Sequence, residues 1–173
     1  MKELEGEVGG NLEHSSRIQC AVLFYSAIDL LNAGSDLAGR FPERAKVQDA
    51  VGGLSAQLLG IKDPRGMAPA REAAAKGDTS DPSWNAVELS RLSDPVRYVT
   101  KGAPPILLAH SSIDSVVAVE QSERLYRKYL EHGLDASLYL WSRGAHGAVG
   151  LDIEAASSEW LLRKLLVELA PKK

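Results

Sequence analysis

The chain has 173 residues, 45% hydrophobic and 25% charged, the profile of one globular domain with enough apolar mass to bury a core, which excludes a disordered chain. Its 20 Lys and Arg against 23 Asp and Glu leave a net charge of -3; no basic excess is available to neutralise a phosphate backbone or an anionic membrane, so nucleic-acid and membrane partners are not expected. Cys20 is the one cysteine and cannot close an internal disulfide, no Cys and His stand at zinc spacing, and no apolar leader or membrane-length run is visible, so the expectation is a cytoplasmic chain without metal or other cofactor.

Residues 17–25 form a mostly apolar run rich in β-formers, which predicts a buried first strand containing Cys20 as an inert thiol. Residues 30–100 are less regular. A helix is expected over Arg44 to Leu59 and an Ala-rich piece over Pro69 to Lys76, with turn clusters at Lys62 to Gly66 and Gly77 to Pro82. An excursion of this length exceeds what a crossover needs, so part of it is expected to pack over the sheet edge or a site, as a lid or partner surface. The second strand, Ile106 to His110, follows Pro104 and Pro105, whose missing N–H groups suit a strand entrance.

From Val117 to His132, Leu125 and Tyr129, like Tyr126 and Leu130, fall at i,i+4, and Gly133 is placed to end the helix. A third strand, Ala136 to Trp141, completes a βαβ unit, so the last two strands should run parallel. Leu151 to Leu169 then carries Trp160, Leu161, Leu165 and Leu169 as an apolar stripe that can cover one face of the sheet.

Ligands of open parallel sheets bind beyond the carboxyl ends of the strands. The loop after the second strand carries Asp114, and the loop after the third carries His146 between small residues. Such a pair can fix an imidazole tautomer and steady an imidazolium. The plainer reading makes Asp114 a turn or helix-capping residue and His146 an ordinary loop residue. Acid after one strand and histidine after the next is also the order of the last two members of the Ser, Asp, His triad in α/β-hydrolases.

Gly9, Gly10, Asn11 and Leu12, then Ser15 to Gln19 and Phe24 to Leu30, resemble the segment that follows the nucleophile elbow in α/β-hydrolase esterases of the prolyl-oligopeptidase-like and feruloyl-esterase-like groups. Ala103 to His110 with Asp114, Val117, Gln121 and Ser122 is similar to their strand-and-acid segment, and Gly144 to Gly147 to their histidine loop. The resemblance implies an α/β class and a partial α/β-hydrolase fold, about three parallel strands with flanking helices in a single domain over residues 1–173. It implies serine-hydrolase chemistry in which Asp114 orients His146. The sequence departs from the family pattern at Ser111 and Ser112, where Gly and an acidic residue are usual, and at Ser115, where Pro commonly follows the acid.

The resemblance begins past the G-x-S-x-G elbow, so the nucleophile and the oxyanion donors have no counterpart. Gly53, Ser55 and Gln57 come nearest to the motif, but Gln57 stands in for the second glycine and Val47 to Gly52 read as helix. Ser111 and Ser112 lie beside the expected site without elbow context. His110 is expected to hydrogen-bond loop backbone, His14 and His132 to lie on the surface, and Trp84 to pack within the excursion. A first strand lacking its usual neighbour has a bare edge, which predicts a homodimer in which the two first strands pair antiparallel. Three readings follow: a hydrolase that keeps acid and base but is inactive alone, an active serine esterase whose nucleophile comes from a partner chain or an unrecognised serine, and a non-enzymatic dimeric module.

Overall fold

The most deeply buried strand is the middle of the sheet. In the computed structural model, which describes residue 10, residues 13–147 and residues 149–168, β2 (Ile106–Ser111) is buried along its whole length. It lies between β1 (Ala21–Phe24) and β3 (Ala136–Trp141), each parallel to it. Ala21 stands opposite Ile106, and Ile106 opposite Ala136. Pro105 marks the start of the ladder: its carbonyl receives the Ala21 N–H at 3.0 Å, while the missing N–H keeps the proline itself outside.

β1 is shorter than the apolar run that predicts it. Ile18 is exposed and Cys20 half-buried just ahead of the strand, because no β2 residue is available to pair before Ile106. The other end is cut by Tyr25, whose φ of 52° turns the chain out of the strand. The N–H groups of Ala21 and Tyr25 donate to Pro105 and Ala109. Val22 and Phe24, the alternate residues, therefore direct their backbone groups away from β2, and among the described residues no strand pairs with that side.

Alternation along β2 supplies both faces of the sheet. Ile106 and Leu108 pack with Leu125 and Tyr129 of α6 (Val119–Glu131), and Leu107 and Ala109 pack with Trp160 of α7 (Leu151–Arg163). Gly133, with φ 64°, ends α6 in the left-handed region and lets the Leu134 N–H return to the Tyr129 carbonyl at 3.0 Å. The stripe expected along the last helix holds through Trp160 and Leu161, which pack on the sheet, and is corrected beyond them. Lys164–Glu168 form a wider π turn, which shifts the face presented to the sheet. Lys164 is buried there, with its ammonium bonded to Asp135 and Glu168, and Leu165 is exposed. Leu169 lies outside the described residues, as do Gly9, Asn11 and Leu12.

The excursion contains five α-helices, α1 (Ala33–Ala38), α2 (Pro42–Asp49), α3 (Leu54–Leu58), α4 (Ala68–Lys76) and α5 (Trp84–Ser93), followed by a 3-10 turn at Pro95–Tyr98. The single helix expected over Arg44 to Leu59 is two. Ala50 is extended, and at Gly53 a Cβ would meet the Gln48 carbonyl oxygen at 2.2 Å, so only glycine allows the chain to fold back this tightly. Ala56, Leu59, Met67, Ala70, Ala86 and Val87 give these helices a core of their own. Arg71 clasps Asp49 with two bonds of 2.7 and 2.6 Å.

A polar seam joins the excursion to α6. The buried Gln121 accepts the Ile28 and Asp29 N–H groups on Oε1 at 2.8 and 2.7 Å, and Arg124 pairs with Asp29 and Asp36. No helix among the described residues is long and apolar enough to cross a membrane.

Candidate active site

The loops after β2 and β3 meet at the carboxyl end of the sheet and bring Asp114 and His146 together. Asp114 is fully buried, and its two oxygens have separate tasks. Oδ1 accepts the N–H groups of Val116 at 2.8 Å and Val117 at 3.0 Å, which is the turn-forming role that short-range sequence predicts. Oδ2 faces His146 Nδ1 at 2.8 Å and His110 Nε2 at 3.3 Å. Burial alone would raise this carboxyl's pKa. Hydrogen bonds from His110, the Val116 N–H, His146 and the Val117 N–H outweigh it and bring the pKa down to about 2.

The carboxylate only accepts, so the His146 nitrogen facing it carries the proton, and the neutral ring keeps a lone pair on Nε2. His146 remains partly open, with 38% of its side chain exposed. Left-handed turns at Gly144 and Gly147, with φ of 69° and 79°, lift the histidine out of the end of β3. The Tyr25 ring lies 5.0 Å from the imidazole, centroid to centroid, and also packs edge-on against His110 and Trp141 at 5.7 and 5.6 Å. Burial, then the charge of Asp114, pushes the Tyr25 phenol above its usual range.

Of the serines that depart from the family pattern, Ser111 has a side-chain partner and Ser112 a backbone one. Ser111 Oγ donates to the Gly144 carbonyl at 2.7 Å, and the Ser112 N–H donates to the Trp141 carbonyl at 2.7 Å. Arg40, from the excursion, reaches the Ser112 carbonyl at 2.7 Å and pairs with Glu120. One arm of the excursion thus touches the acid-bearing loop. Ser55 sits in the first turn of α3, buried and accepting from Gln48 Nε2 at 3.4 Å. A helix precedes it, not a strand, so the elbow geometry is absent there.

His110 does bond loop backbone, through Nε2 and the Val117 carbonyl at 3.0 Å. The sequence reading missed its second contact, with Asp114, and missed Tyr25 altogether. The spacing of four between His110 and Asp114 is the signal for the first. Nothing in the local sequence marks the left-handed backbone that aims the second.

The family model described as BD-FAE matches residues 1–129. The chain belongs to the BD-FAE family. BD-FAE is an α/β-hydrolase esterase family, and its model takes in Asp114 but stops short of His146. Solved structures share the fold. A truncated form of a carbohydrate esterase from gut microbiota is 21% identical with a TM-score of 0.59, over 93% of this chain and 48% of that one. An esterase from the Planctomycetes species Thermogutta terrifontis, with propionate bound, is 19% identical with a TM-score of 0.52, over 99% and 51%. An acylaminoacyl peptidase from Pyrococcus horikoshii is 19% identical with a TM-score of 0.53, over 94% and 22%. The BD-FAE chain therefore spans about half the length of the esterases it matches. No curated protein sequence matches it. The open three-stranded parallel sheet with helices on both faces is a partial α/β-hydrolase fold.

Proposed function

We propose that this BD-FAE chain carries the acid and base of a serine carboxylic-ester hydrolase and does not form an acyl-enzyme by itself. One observation carries the reading: the 2.8 Å bond between His146 Nδ1 and the buried Asp114 carboxylate, which leaves Nε2 as the basic atom on the accessible side. In the reaction, Nε2 takes the proton of a serine hydroxyl as its oxygen attacks the ester carbonyl. Asp114 steadies the resulting imidazolium. His146 then gives the proton to the departing alkoxide, and repeats the cycle with water to release the acid. In the alternative reading the protein is an active serine esterase whose serine comes from a partner polypeptide or from an unrecognised serine; the nearest match to the elbow motif, at Ser55, lies in a helix, which disfavours Ser55 itself.

The side of β1 that no described strand covers favours assembly in either case, and a second copy pairing there gives a two-fold dimer. The experiment is intact-mass analysis of the folded chain after treatment with a fluorophosphonate that labels activated serines. No adduct is expected. A stoichiometric adduct mapped to Ser55, Ser111 or Ser112 would overturn the inactive-alone reading and assign the nucleophile to this chain.

A further inference from the structure

His110 is fully buried at the end of β2 and has a partner on every polar atom. Its Nε2 lies 3.0 Å from the Val117 carbonyl and 3.3 Å from Asp114 Oδ2. Both of these oxygens only accept, so Nε2 must carry a proton. In the neutral ring Nδ1 then accepts, and Ser122 Oγ on α6 stands 2.7 Å away to donate to it.

Two histidines thus aim N–H groups at one carboxylate oxygen from different supports. His146 rides on a glycine-flanked loop. His110 is fixed by the central strand on one side and by α6 on the other. Asp114 Oδ1 is already held by the Val116 and Val117 N–H groups, so His110 supplies the second rigid direction that sets the plane of the carboxylate.

We propose that His110, clamped by Ser122, is a positioning residue for Asp114 and so selects the tautomer of His146. The proposal rests on the acid–base reading of that pair and extends it to a residue that touches neither substrate nor nucleophile. Tyr25, packed against both imidazoles, keeps the two rings apart while they share the carboxylate.

The test is nitrogen-15 long-range NMR of the histidine rings in the full chain, in mildly alkaline solution. The expected wild-type result is His110 as the Nε2–H tautomer and His146 as the Nδ1–H tautomer, each dominant. His110 found as Nδ1–H would overturn the proposal at once. In His110→Leu, His146 should lose its single dominant tautomer and the Asp114 carboxyl should titrate higher. His110→Gln, which keeps an N–H at similar reach, should restore both. A folded His110→Leu chain with both signals unchanged would overturn the proposal. Should that variant fail to fold, Ser122→Ala is read instead; the same changes in smaller size are expected, and none would count against the clamp. These readouts register geometry without turnover, so the fluorophosphonate result cannot decide them, nor they it.

Discussion

The Ser111 hydroxyl donates to the carbonyl of Gly144 at 2.7 Å, tying the end of β2 to the loop that carries His146. A glycine at position 111, the residue usual in the resembling esterases, has no group to make this tie. Ser111→Ala should therefore cost about 1 kcal/mol of stability and speed amide exchange over residues 143–147. Both are read by urea unfolding and hydrogen exchange; unchanged exchange in that loop would show that the tie does not hold it.

Asp114 makes stability depend on acidity. Its folded pKa is about 2, below the ~3.9 of an unfolded Asp, so the unfolded chain takes up the proton first. The contribution is present above about pH 4 and disappears as the pH falls towards 2, amounting to about 2 kcal/mol. Asp114→Asn should lose it and flatten this part of a pH series of urea unfolding curves. A variant with the wild-type acid slope would refute the assignment.

His146→Ala should separate chemistry from folding. The ring is partly exposed and makes one carboxylate bond, so unfolding free energy should change by no more than about 1 kcal/mol. If the alternative reading holds and the serine is supplied, ester turnover should fall to background. Turnover persisting in this variant would remove His146 from the reaction.

Gln121→Leu should be far more costly. It leaves the Ile28 and Asp29 N–H groups without their acceptor in a buried seam, at about 3 kcal/mol. Calorimetry of the variant should show the loss. A near-neutral result would mean that the segment after β1 re-pairs elsewhere.

Light scattering at high micromolar concentration should give twice the protomer mass if β1 pairs with a second copy. Val22→Pro should keep the β1·β2 ladder, because Val22 directs its N–H outward, and should shift the mass to one protomer. A wild-type mass of one protomer would end the dimer proposal.

Most of the sheet was legible in the sequence because parallel strands are short apolar runs with sharp ends. Ala136 to Trp141 forms a strand over its expected span, and the proline pair before Ile106 sets the start of β2. The excursion was less readable. Its α2 and α3 are separated by a fold-back that depends on a close approach at Gly53, a long-range contact that no window of residues contains. In the last helix, the wider turn at Lys164 exchanges a leucine for a lysine on the inner face, and Asp135, distant in sequence, makes that tolerable. At the site, position after a strand was enough to nominate Asp114 and His146. The spacing of four between His110 and Asp114 hints at their contact, whereas the left-handed backbone that directs the Tyr25 ring has no local sequence signal.

Tyr25 also has a mechanical consequence. Phe24 offers its peptide groups to the open flank of the sheet, and the very next residue, bent into the left-handed region, lays its ring against His146. A single peptide unit separates the margin where the proposed second chain would dock from the ring that packs beside the imidazole. A shift in that margin would reach the Tyr25 ring without an intervening hinge, so the proposed strand pairing and the proposed proton transfer would share one lever.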